Sequence, residues 1–105
     1  MSTYAIIIIR YCRPMEEVVA ATPDHRRYLA GLRAAGLLLA SGPFDPRIGG
    51  MLLLRLPKDD PGALERIRDG DPFWQGGIGE YEMQIWAPTI GAGDLDLLQI
   101  PAGPA

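Results

Sequence analysis

The chain has 105 residues, of which 48% are hydrophobic and 22% charged, with a formal net charge of −3. That length fits one domain, although so short a chain covers only about 60–70% of its unfolded surface and gains from a second copy. The balance argues against wholesale disorder. A single lysine (Lys58) among scattered arginines argues against the clustered cations that bind nucleic acid, and the densest pair, Arg26 and Arg27, reads as a solvated helix face.

The first strand is expected over Tyr4–Tyr11, where four consecutive isoleucines suit a pleated surface. Successive side chains alternate, so both faces of this strand are apolar. Arg13–Ala21 reads as a connector with a short helical turn around Glu16–Ala20. Thr22 as N-cap, Pro23 at the first helical position and Asp24 at the positive end predict a helix over Pro23–Ala35, stopped by Gly36. Leu29, Leu32 and Ala35 form its apolar stripe, with Tyr28 beside it. His25 lies one turn before Leu29 on that stripe and so faces inward at the end of the helix.

Leu37–Ser41 is the second expected strand, closed by Gly42 and Pro43, and Gly50–Leu56 the third. The short link between them predicts an antiparallel pair. Asp60 and Pro61 repeat the cap-then-proline device and open a second helix that ends at Gly70, with Leu64 and Ile67 inward. Asp71–Trp74 restarts a short turn, which Gly76, Gly77 and Gly79 terminate. Glu80–Trp86 alternates as a fourth strand, with Tyr81, Met83 and Ile85 on one face, and Pro88 ends it. Residues 1–88 are therefore expected to form the domain. Residues 89–105 are expected to be a Gly/Pro-rich, irregular tail able to dock on a neighbour.

Strand, helix, strand, strand, helix, strand is the ferredoxin-like α+β plan: a four-stranded antiparallel sheet with two helices on one face. The bare face would carry alternate residues of the isoleucine run and of Leu37–Leu39 and Leu52–Leu54. Each such side chain left exposed forgoes roughly 1.5–3 kcal/mol of burial. An apolar patch of that size is rare on a monomer, so the expectation is a homodimer packed sheet to sheet. Cys12, the single cysteine, cannot form an internal disulfide. The N-terminus lacks a signal-peptide pattern, and Ala5–Ile9 is too short to span a bilayer. A cytoplasmic protein with no membrane partner is expected.

His25 is the only histidine, and one histidine without partner cysteines lacks the usual ligand set, so no metal is expected. A free imidazole can serve as general acid or base near neutral pH, or simply pack at the helix start. Asp71 before Pro72 is an ordinary helix cap; it acquires a chemical role only by meeting His25 and orienting the imidazole. Ser41 is first a strand terminator and second a hydrogen-bond donor to a ligand. Phe73 and Trp74 suit either an aromatic pocket or the core. Arg10, with Tyr11 and Arg13, offers an anion site against the plainer reading of solvated strand-end charges, and Cys12 as a nucleophile would need a base within reach.

From Asp24 to Trp86 the chain resembles the YCII-related (YciI-like) domain family, a match that extends over roughly residues 4–88. It rests on His25 and Leu29 opening the first helix, Ser41–Gly42–Pro43 after the second strand, and Asp71–Pro72–Phe73 after the second helix. The resemblance implies a dimeric α+β barrel and an active-site pair on His25 and Asp71 beside a small pocket. It also implies cofactor-free chemistry of the lyase, dehydrochlorinase or isomerase type on a small cyclic oxygenated molecule. The long Gly/Pro tail, Trp74 and the glycines after it depart from the family pattern at the expected pocket. A non-catalytic small-ligand-binding or accessory dimer is the alternative, and a cofactor-free monooxygenase a third reading, by fold analogy alone.

Overall fold

The computed structural model describes residues 3–98. Its elements run β1 (Thr3–Tyr11), α1 (Met15–Ala34), β2 (Leu38–Pro43), β3 (Gly49–Leu56), α2 (Ala63–Gly70), α3 (Pro72–Gln75), β4 (Gly79–Trp86) and α4 (Ala92–Asp96). The four strands form one antiparallel sheet in the order β2-β3-β1-β4, the ferredoxin-like arrangement expected from the element order. Each expected strand is present, with ends displaced by one or two residues.

Alternation sorts the central strands. Ala5, Ile7 and Ile9 of β1 and Leu52, Leu54 and Leu56 of β3 are buried on one face, together with Val18, Leu29 and Leu32 of α1, Leu64 and Ile67 of α2, and Phe73 of α3. This single cluster is the core. The opposite face carries Ile6 and Ile8 of β1 against Leu53 and Met51 of β3, all only partly covered.

The first helix corrects the sequence reading. It begins at Met15, after Pro14, and runs for 20 residues with Pro23 in its interior. Thr22 is not its N-cap: the Oγ1 hydroxyl donates to the Val18 carbonyl at 2.6 Å. Proline removes the amide that would have bonded four residues back, yet Val18, His25, Leu29 and Leu32 are buried along one side through that point. Burial of that stripe outweighs the local stop signal. Gly36, with φ of 81°, ends the segment in the left-handed turn expected of it. The second helix also starts later than predicted, after Gly62, because Asp60 pairs with Arg66 and Pro61–Gly62 form a turn instead of the first helical residues.

The described part of the tail is not wholly irregular. Its short helix α4 lies against the outer sheet face of its own chain: the Tyr4 hydroxyl donates to Asp96 at 2.5 Å, and Arg55 donates to the Leu95 carbonyl. Residues 99–105 lie outside the described residues.

Candidate active site

His25 and Asp71, 46 positions apart, meet beneath the helical layer. The local sequence accounts for both placements. His25 falls on the buried side of α1, one turn before Leu29. Asp71 adopts an extended backbone between α2 and α3, and its side chain caps α3 by accepting from the Phe73 amide at 3.0 Å. Pro72 at the first position of α3 fixes the turn. The cap reading of Asp71 and the partner reading therefore hold together, because one carboxylate does both.

The Nδ1 atom of His25 stands 2.7 Å from Oδ1 of Asp71, whose residue is only 1% exposed. The same oxygen takes the Phe73 amide, and Oδ2 accepts from the Tyr81 hydroxyl at 2.7 Å. The Phe73 amide and the Tyr81 hydroxyl donate to a carboxylate that itself only accepts, so Nδ1, at 2.7 Å, must carry its proton and donate. The neutral ring then holds its lone pair on Nε2. That nitrogen makes no hydrogen bond among the described residues and is not sealed from solvent. The ring is further held by a parallel stack on Phe73, 3.8 Å between centroids and 2° between planes. Burial and the adjacent Asp71 carboxylate push the Tyr81 phenol far above its ordinary range, so Tyr81 acts as a fixed neutral donor.

His25 opens onto a pocket of about 200 Å³ between α1, β2 and the loop that joins β2 to β3. Phe73, Ile9, Leu29, Leu52 and Pro43 give it apolar walls, while Thr22, Ser41, Arg26 and Arg47 supply polar groups. Among the described residues, no carboxylate lines it. Apolar walls with a few polar groups beside one titratable side chain are the usual form of a small-molecule site.

Of the residues singled out in the sequence, His25, Ser41 and Phe73 line this pocket, and Asp71 stands behind His25. Trp74 and Arg10 do not. Trp74 packs edge-on against Tyr81 with the Arg68 guanidinium over its ring, because a four-residue helix turns successive side chains to different sides. Arg10 points to the outer sheet face and pairs with Glu82 at 2.8 Å, its directly opposite neighbour being Glu80. Arg13 does not line the pocket, although Tyr11 does. Cys12 is exposed, its thiol directed to the Gly77 carbonyl. Sequence reasoning missed Tyr81, Thr22, Arg26 and Arg47. The alternation of β4 set Tyr81 on the same face as Met83, but only the pairing of Tyr81 with Ile9 brings it over Asp71. Among the described residues, no group of three or more His, Cys, Asp or Glu side chains is placed to hold a metal ion, and no helix is long and apolar enough to cross a membrane.

Such a site defines the class: a ferredoxin-like α+β protein with a buried carboxylate–imidazole pair at the floor of a small open pocket. The chain belongs to the YCII-related domain family, whose model matches residues 3–87. Among solved structures it is similar to 5-chloro-2-hydroxyhydroquinone dehydrochlorinase (TftG) from Burkholderia phenoliruptrix AC1100, in complex with 2,5-dihydroxybenzoquinone. The TM-score is 0.63 at 20% sequence identity, over 82% of this chain and 96% of that one, a likeness of fold. No curated protein matches the chain in sequence.

Proposed function

We propose that the protein is a lyase- or isomerase-type enzyme that moves a proton on a small oxygenated ring, with His25 as general acid–base and Asp71 as its orienting partner. The observation that carries this reading is the 2.7 Å contact between Nδ1 and a fully bonded, buried carboxylate, which leaves Nε2 as the base at the pocket. The dehydrochlorinase of the same fold supports the choice of ring chemistry.

For a halogenated hydroxyquinol the steps balance without an electron acceptor. His25 takes a proton from one ring oxygen and returns it to the halogen-bearing carbon. Halide then leaves with the carbon–halogen pair as a second ring oxygen loses its proton. The sum is loss of hydrogen halide and a ring at the hydroxyquinone level. An isomerase would use only the first half, moving one proton between two atoms. Asp71 stabilises the imidazolium formed in between, and Tyr81 and the Phe73 amide hold Asp71. The test is turnover of chlorinated and unchlorinated hydroxyquinols, followed by halide release and quinone absorbance, in wild type and His25→Gln. Turnover lost in the variant supports the reading; turnover unchanged contradicts it.

The enzyme would act as a homodimer joined through the outer sheet face. Ile6, Ile8, Met51 and Leu53 form an apolar strip there, and burying each is worth roughly 1.5–3 kcal/mol. Leu53→Glu places a charge opposite Ile6. Light scattering at micromolar concentration is expected to give a dimer mass for wild type and a monomer mass for the variant. A monomeric wild type would refute the interface.

A further inference from the structure

The charges around the pocket are one-sided in a chain that is acidic overall. Arg26 lines the pocket and makes no hydrogen bond or ion pair among the described residues. Arg47 also lines it, and among the described residues its one hydrogen bond is a long donation, 3.3 Å, to the Thr22 hydroxyl. Every other arginine except Arg13 is held by an oxygen. Arg10, Arg27, Arg66 and Arg68 pair with Glu82, Asp24, Asp60 and Asp69. Arg33 and Arg55 donate to backbone carbonyls of Leu38 and Leu95. Among the described residues, two guanidiniums without a carboxylate partner thus stand at one pocket that no acidic side chain lines. They belong to different segments, α1 and the loop joining β2 to β3, so the positive charge is assembled by the fold rather than by one run of sequence.

We infer that the ring compound taken by this pocket carries a carboxylate, which Arg47 and Arg26 bind while the ring lies against His25 and Phe73. This inference rests on the His25 pocket being the ligand site and adds the substrate class. A guanidinium offers planar paired donors that match a carboxylate, and charge-assisted bonds of this kind are about twice as strong as neutral ones. A ring bearing only hydroxyl groups would leave both cations unused.

The experiment compares binding of gentisate, a dihydroxybenzoate, with that of hydroquinone, its uncharged counterpart, by calorimetry on wild type, Arg47→Met and Arg26→Met. The expected result is about tenfold or greater preference of wild type for gentisate, weakening as salt is raised. The preference should disappear in Arg47→Met and shrink in Arg26→Met, with hydroquinone affinity unchanged. No preference in wild type, including no binding of either compound, overturns the inference. So does a preference that survives both substitutions. The measurement is separable from catalysis: carboxylate preference without turnover of any ring acid keeps this inference and defeats the proton-transfer reading. Turnover of uncharged quinols with no carboxylate preference does the reverse.

Discussion

Replacing His25 is expected to lower kcat on an accepted ring substrate by about 10²- to 10⁴-fold, the usual contribution of a positioned acid–base group. His25→Ala and His25→Gln should agree in this, since neither side chain moves a proton at neutral pH. KM should change far less, because the apolar walls from Ile9, Leu29 and Leu52 and the cations at Arg26 and Arg47 remain. The glutamine variant guards against a trivial outcome. Alanine removes the ring stacked on Phe73 and opens a void, whereas glutamine fills part of that space and can still donate to Asp71. A folded His25→Gln variant with wild-type kcat would remove the imidazole from the mechanism. A variant that still binds ligand, from a wild type that never alters it chemically, would make the protein a binding module.

The second large effect falls on stability. Asp71→Ala strips the acceptor from three donors at once: the His25 ring, the Phe73 amide and the Tyr81 hydroxyl. A buried donor left unpaired costs about 1–3 kcal/mol, and the lost cap is part of the same sum. A total of about 3–5 kcal/mol is expected, a drop in Tm on the order of 15 °C or more for a domain this size. Asp71→Asn should be far milder. The Phe73 amide and the Nδ1 proton both demand an oxygen at the Oδ1 position, so the amide nitrogen turns to Tyr81, whose hydroxyl can accept. A cost of about 1 kcal/mol follows. Denaturant unfolding at one fixed protein concentration separates the cases. Equal losses for the two variants, or none for Asp71→Ala, would show that the carboxylate does not organise this corner.

The fold was legible because each strand and the second helix announce themselves locally: the isoleucine run of β1, the leucines of β3, the alternation of β4 and the glycines that follow elements. The error at the first helix is equally local in origin. Thr22–Pro23–Asp24 is a well-formed start signal, and it was overridden by a buried stripe that continues back to Val18. In the site, His25 and Asp71 were readable as candidates because a lone histidine on an apolar stripe and an Asp–Pro cap are visible in the chain. Their meeting across 46 positions is set by how α1 packs beside α3, which spacing alone does not specify. Tyr81 and Arg47 were beyond reach for the same reason. One needs the β1–β4 register and the other the path of the loop joining β2 to β3, and neither is encoded in the residues next to it. Trp74 and Arg10 were misplaced because type and proximity in sequence do not give direction; a one-residue step in a strand or a short helix sends a side chain to another face.

If Asp71 fixes His25 with its proton on Nδ1, Nε2 is left as the base at the pocket. With one histidine in the chain, a long-range proton–nitrogen correlation spectrum of the folded protein reports the neutral tautomer without ambiguity. The expected result is a protonated Nδ1 and an unprotonated Nε2 in the neutral ring, in wild type and also in Asp71→Asn. A neutral ring protonated on Nε2 in wild type would contradict it, since the lone pair would then point at the carboxylate and nothing would be left to accept a proton from the pocket.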